Sequence, residues 1–194
     1  MGSLKGTKTA VNLLTSFAGE SQANARYTYY ASKARSDKYI QIANIFEETA
    51  KNELAHAKRF YKFLIKDLDG EELAIDGSYP IHLGDTLTNL KAAAAGENEE
   101  HSEMYPEFSR IAAEEGFDEI AKVFLEVASV EKHHEARFLK LAKNFEEGKL
   151  FKKDNVVLWK CNNCGYIYEG KEAPEICPAC AHPQGHFEVF KELY

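Results

Sequence analysis

A chain of 194 residues with 44% hydrophobic and 28% charged side chains carries enough apolar material for one buried domain and a small second one, which excludes disorder as its main state. Its formal charge of −7 is spread along helical patterns with no clustered basic face, which argues against nucleic acid as a partner. No stretch reaches the ~18 apolar residues of a membrane span, and the opening Met1-Gly2-Ser3-Leu4-Lys5-Gly6 has neither an apolar signal core nor the hydroxyl residue of an acylation signal, so a cytoplasmic location is expected.

Four long helical patterns account for residues 5 to 147. The first runs from near Thr7 to Ala34 and the second from about Lys38 to Lys66. The break at Ser36-Asp37 is so short that the two form an antiparallel hairpin. Asp69-Gly70, Asp76-Gly77-Ser78 and Tyr79-Pro80 are turn signals, so residues 68–82 read as a long crossover. The third helix is expected to start with Asp85 as N-cap and to end at Glu115-Gly116, with Asp118 capping the fourth. Two hairpins joined by one crossover match the ferritin-like form of the four-helix bundle. After Glu147-Gly148 the composition changes, and short β-type runs such as Gly165-Tyr166-Ile167-Tyr168 take over. The expected division is a bundle over 1–148, a linker or extended arm over 149–156 and a small domain over 157–194.

The bundle carries two copies of Glu-x-x-His, Glu53 with His56 and Glu131 with His134. Steps of four and three place each on an apolar stripe: Ile42, Phe46, Thr49, Glu53, His56, Phe60 and Phe63 in one helix, Ile120, Phe124, Val127, Glu131, His134, Phe138 and Leu141 in the other. A buried unpaired charge is expensive, so bound metal is the natural reason for such residues, and two pairs suggest two ions. Single glutamates alternate with the pairs along the chain. Glu20 lies in Ala18-Gly19-Glu20 and Glu97 in Ala95-Gly96-Glu97, which completes the set of a two-metal carboxylate bundle. Carboxylates with two imidazoles suit iron or manganese better than zinc, magnesium or calcium.

The halves of the bundle repeat, with informative departures. The interval from Tyr27 to Tyr105 equals those from Glu53 to Glu131 and from His56 to His134, but the interval from Glu20 to Glu97 is shorter by one, so one residue is inserted between Glu97 and Tyr105. A π-bulge there would absorb it. Tyr27 and Tyr105 are then expected beside the metals, able to hydrogen-bond a ligand carboxylate or donate to bound oxygen species. Glu100 stands where the first half has Ala23, a spare carboxylate with which one metal can exchange ligands. His101 and His133 are left outside the ligand set.

All four cysteines fall in the last fifth of the chain, as Cys161-Asn-Asn-Cys164 and Cys177-Pro-Ala-Cys180. Paired Cys-x-x-Cys loops make a tetrahedral site for one zinc or one iron, and a domain this small, below about 40 residues, needs such a staple to fold. Iron is favoured because a redox centre in the bundle gains from a one-electron carrier in the same molecule; zinc is the alternative.

Together these residues resemble the rubrerythrin family over nearly the whole chain. Cys161-x-x-Cys164-Gly165-Tyr166-x-Tyr168 and Cys177-Pro178-x-Cys180 are similar to the two rubredoxin knuckles, although Ala181 stands where a rubredoxin has glycine and the stretch between the knuckles is much shorter. The resemblance implies an all-α ferritin-like four-helix bundle with a small C-terminal β-rich rubredoxin-like metal domain. It implies two irons held by Glu20, Glu53, His56, Glu97, Glu100, Glu131 and His134, and a third held by Cys161, Cys164, Cys177 and Cys180. It further implies a peroxidase that reduces hydrogen peroxide to water in oxidative-stress defence, with electrons from an NAD(P)H-dependent reductase or a rubredoxin. One iron would exchange Glu100 for His56 on reduction, and a homodimer would bring one subunit's rubredoxin-like domain near the other's di-iron site. The alternative is a ferritin-like iron oxidase or storage protein, which has no use for a four-cysteine tail.

Overall fold

A computed structural model describes residues 2–192; the first residue of the expected bundle and the last two of the expected small domain lie outside the described residues. The helices are α1 (Lys8–Ser36), α2 (Ile40–Leu68), α3 (Thr86–Glu99), α4 (Tyr105–Glu114) and α5 (Asp118–Glu146). α3 and α4 are one helix interrupted by a π-helical turn, Glu100–Met104, which absorbs the inserted residue where the repeat demanded it. The Tyr105 N–H accordingly donates to the Glu100 carbonyl, five residues back, and Pro106, which has no N–H, follows at the start of α4.

The termini follow from local chemistry. Thr7 caps α1 through its hydroxyl, which accepts from the Ala10 N–H, while Glu115 accepts from the N–H groups of Lys8 and Thr9 at 3.0 and 2.8 Å. α2 starts at Ile40, two residues later than expected, because Lys38 adopts a left-handed φ of 64° to turn the chain. Asp85 caps α3 as expected, accepting from the Thr88 N–H at 2.8 Å. Asp118 is not the cap of α5. Gly116, with φ 81°, closes α4, the buried Phe117 takes the N-cap position, and Asp118 falls in the first turn, where its charge favours the helix dipole.

The apolar stripes meet in two aromatic plugs, one on each side of a polar layer. Tyr27, Phe46 and Phe138 form one, with centroids 5.1–6.0 Å apart; Tyr105, Phe124 and Phe60 form the other, at 5.2–5.9 Å. The sequence shift that carries Glu53 to Glu131 also carries Tyr27, Phe46 and Phe60 to Tyr105, Phe124 and Phe138, so the bundle has an internal pseudo-twofold through the layer between the plugs. All six rings are fully buried. At about 2–3 kcal/mol for each buried large side chain, the plugs stabilise the bundle strongly on both sides of the layer and keep bulk water from its ends.

After α5, the strands β1 (Lys152–Cys161), β2 (Ile167–Glu172) and β3 (Phe187–Val189) form an antiparallel sheet in the order β2-β1-β3. β1 begins inside the segment expected as a linker or arm, since Lys152 opposes Glu172 across an irregularity before Val157. The small core is Trp159, Phe187, Ala173, Cys161 and Cys177, with the Trp159 indole donating to the Gly170 carbonyl at 3.0 Å. This domain rests on the α1–α2 turn. The Tyr39 ring stacks on Phe151 at 6.2 Å and packs on Phe145 at 4.8 Å.

A Cβ on Gly185 would run into the backbone carbonyl of Lys38. Gly185→Ala is therefore expected to push the small domain off the turn, lowering stability by about 1–3 kcal/mol as overpacking does. Chemical denaturation with probes in each domain checks this; an unchanged midpoint in both would show that the contact carries nothing.

Candidate di-metal and four-cysteine centres

The polar layer contains all six residues expected from the alternating glutamates and Glu-x-x-His pairs. Glu20, Glu53, His56 and Glu131 bring one ligand atom each within 4.8 Å of one another, and so do Glu53, Glu97, Glu131 and His134. Glu53 and Glu131 belong to both groups, and each spends one oxygen on each half. His56 Nδ1 lies 2.8 Å from Glu131 Oε1 and 3.1 Å from Glu53 Oε2. His134 Nδ1 lies 2.7 Å from Glu131 Oε2 and 3.2 Å from Glu53 Oε1. Glu20 and Glu97 stand at the two ends, 3.8 and 3.9 Å from the histidine of their own half. Sharing of the two motif glutamates was not visible in the spacing, which shows that a pair converges but not that each carboxylate faces two ways.

Whether metal fits is decided by the atoms left over. Glu20 Oε2, Glu53 Oε1, Glu97 Oε2, both Glu131 oxygens and His134 Nδ1 are buried without a hydrogen-bond partner among the described residues. Several lie at contact distance from a nitrogen or oxygen yet are not aligned for a hydrogen bond, so their lone pairs turn to the space between them. Orphaned buried acceptors cost about 1–3 kcal/mol each, and two cations bridged by Glu53 and Glu131 would satisfy them together. The charges agree. Burial raises the Glu20 carboxyl to about 8, with Glu131 and Glu53 adding to the push. Burial likewise raises Glu97 well above the usual range, with Glu53 and Glu100 adding. Burial alone would lower His134, yet Glu131 and Glu53 raise it to about 9. A carboxylate cage that holds protons for want of a counter-charge is a cation site.

Each tyrosine grips a terminal glutamate from the opposite half. Tyr27 Oη donates to Glu97 Oε1 at 2.6 Å, and Tyr105 Oη donates to Glu20 Oε1. Burial holds both phenols well above their ordinary range, so both keep their protons. Glu100, on the π turn, contributes no atom to either group of four. It is partly buried beside a cleft of about 130 Å³, where burial first, then Glu20, Glu131 and Glu53, push its carboxyl up. His101 pairs with Glu135 at 2.7 Å and His133 is exposed; both lie outside the cage.

The four cysteines converge as expected, their Sγ atoms within 4.8 Å of one another. Cys161 and Cys180 lie 3.8 Å apart and Cys164 and Cys177 3.7 Å apart, matching the ~3.8 Å edge of a tetrahedron with metal–sulfur bonds of ~2.3 Å. The knuckles are copies. The Gly165 N–H donates to the Cys161 carbonyl at 2.8 Å and the Ala181 N–H to the Cys177 carbonyl at 2.9 Å, each from a left-handed residue, φ 78° and 57°. The His182 N–H, first among several donors, lowers the Cys180 thiol to about 6, a thiolate ready for metal. Alanine in that conformation is strained, so Ala181→Gly is expected to stabilise the small domain by about 1 kcal/mol; thermal unfolding of the metal-loaded protein measures it, and a lower midpoint would refute it.

Comparison with known proteins agrees with this geometry in both domains. The profile described as "Rubrerythrin" matches residues 12–142, and "Rubrerythrin, rubredoxin-like domain" matches 159–188. The rubrerythrin of Clostridium perfringens is 64% identical over the full length of both chains. That of Nitratidesulfovibrio vulgaris is 52% identical over 97% of each. A solved structure of partially reduced nigerythrin superposes with a TM-score of 0.65 at 34% identity, covering 97% of this chain and 92% of that one. The Glu/His cluster and the four close cysteines accord with a di-iron site and a four-cysteine rubredoxin-like site, and the chain belongs to the rubrerythrin family.

Proposed function

We propose that the chain is a peroxidase that reduces hydrogen peroxide to water, with electrons replaced through the four-cysteine domain. The observation that supports this is the sharing of Glu53 and Glu131 between two half-sites, each of which could hold one metal. When bound there, two ferrous irons would supply the two electrons that cleaving an O–O bond requires. Glu20, Glu53, His56, Glu97, Glu131 and His134 would hold them, and Glu100 would be the exchangeable ligand.

The rest of the work falls to the chain. Splitting peroxide into two waters takes two electrons and two protons, and Tyr105 and Tyr27 each hold a proton on Oη, against Glu20 and Glu97 respectively. The aromatic plugs close the bundle along its axis, so a small oxidant approaches from the side, by the cleft that Glu100 lines. Electrons enter from a rubredoxin or an NAD(P)H-dependent reductase through the four-cysteine site. The turn on which that domain rests lies about 20 Å along α2 from Glu53, at 1.5 Å per residue. Electron transfer weakens steeply with distance, which favours a homodimer in which the partner subunit's small domain serves the cage.

Stopped-flow mixing of the fully reduced protein with peroxide and, separately, with oxygen tests the reading. Faster oxidation by peroxide is expected. Equal or slower oxidation by peroxide would favour an iron oxidase instead.

A further inference from the structure

Arg26 is a buried cation, 7% exposed, on α1, the helix that carries Glu20 and Tyr27. Among the described residues no carboxylate lies within 4.0 Å of it. Its Nη1 donates to Gln22 Oε1 at 2.9 Å, its Nε is without a partner, and its charge sits 5.3 Å from the Tyr27 ring centroid. Gln22 in turn donates to the Pro80 carbonyl of the crossover at 3.0 Å, tying the arginine to the roof of the cleft. A buried charge with so little compensation is costly unless a counter-ion can reach it.

One can. Arg26 Nη2 would lie 3.6 Å from a Cβ on Gly96, so the guanidinium lies over the α3 surface at that glycine. Gly96 and Glu100 are four residues apart on one helix face, hence neighbours, and Arg26, Gly96 and Glu100 all line the same cleft. Arg26 is also among the groups that act on the Glu100 carboxyl, and it acts to lower it. The internal repeat makes the pairing specific. The shift from Glu20 to Glu97 carries Arg26 to Glu103 and Ala23 to Glu100; the longer shift from Tyr27 to Tyr105 carries them to Met104 and His101. Neither counterpart of Arg26 is basic. The cation and the spare carboxylate are each present in one half only, and the fold sets them across one cleft.

We propose that Arg26 is a positioning residue that gives the Glu100 carboxylate an outer resting place over Gly96, so that Glu100 divides its time between the cage and the guanidinium. Gly96 keeps the path between the two free of a side chain. The inference rests on the metal-site reading above, because a second place matters only if the first is a metal.

Manganese(II) titration of the metal-free full-length protein, followed by calorimetry, tests both. Arg26→Gln frees Glu100 to ligate, and it is expected to tighten manganese binding about tenfold, equivalent to about 1.4 kcal/mol. Part of any gain comes from loss of a nearby positive charge, so the cycle with Glu100→Gln is decisive. In the Glu100→Gln background the same substitution is expected to change affinity less than about threefold, and Arg26→Lys, which keeps the charge, should stay close to the native affinity. Equal effects in both backgrounds, or none in either, would overturn the proposal and leave the cage standing. No manganese binding by the unaltered protein would take both down. If Arg26→Gln does not fold, Arg26→Met, which keeps the packing of the stem, is read through the same cycle.

Discussion

Glu131→Ala is expected to empty both halves of the cage, whereas Glu20→Ala empties one. Glu131 gives Oε1 to the half of His56 and Oε2 to the half of His134, and neither oxygen has another partner among the described residues. Removing it takes one of the four donors from each half-site. Glu20 reaches only the half of His56. After dialysis, metal analysis should find about two fewer bundle irons per chain in Glu131→Ala and about one fewer in Glu20→Ala. The loss of affinity should exceed the ~10–100-fold typical of changes to groups that merely orient a ligand. Stability reports the same event independently. Metal at one hundred times its dissociation constant stabilises a site that exists only in the folded chain by about 2.7 kcal/mol. That increment should vanish from the bundle transition of Glu131→Ala. Equal metal content in the two variants would mean that Glu131 serves one ion, and the shared cage would be wrong.

The sequence disclosed the cage because a chemical anomaly fell on a regular pattern. A glutamate and a histidine on an apolar stripe stand out when Phe46, Phe60, Phe124 and Phe138 set the stripe so plainly, and the duplication gave each motif a second witness. The inserted residue was legible for the same reason: a repeat that lengthens by one partway along must store the extra residue somewhere, and the helix stores it in Glu100–Met104. What stayed hidden depends on contacts between helices. Periodicity places Arg26 on α1 and Gly96 on α3 but says nothing of one lying over the other. It also misplaced the start of α5, since Asp118 looks like a cap until Gly116 and the buried Phe117 are seen to complete the preceding turn. The docking of the small domain on Lys38 was equally silent, because a glycine needed for close approach looks in sequence like a glycine needed for a turn.

Cys161→Ser is expected to separate the two halves of the proposed cycle. Steady-state peroxide reduction with an external electron donor should fall about 100-fold or more, while a single oxidation of the chemically reduced bundle by peroxide should change less than about threefold, the contrast that distinguishes a refilling step from the chemical one. The bundle should be indifferent, since its core takes no residue from β1 to β3 and its cage lies on α1, α2, α3 and α5. Cys161 is itself buried in the core of the small domain, so the serine variant loses fold along with iron. Zinc in the four-cysteine site of the unaltered chain removes that ambiguity. The sulfur spacings of 3.7 and 3.8 Å suit zinc as well as iron, so the knuckles stay folded while the one-electron couple is gone, zinc having no redox chemistry there. The zinc-loaded protein should match Cys161→Ser in steady-state turnover and match the native protein in the single oxidation. Turnover at the native rate with zinc would mean that electrons reach Glu53 and Glu131 by some other route, and the small domain would then be a structural module alone.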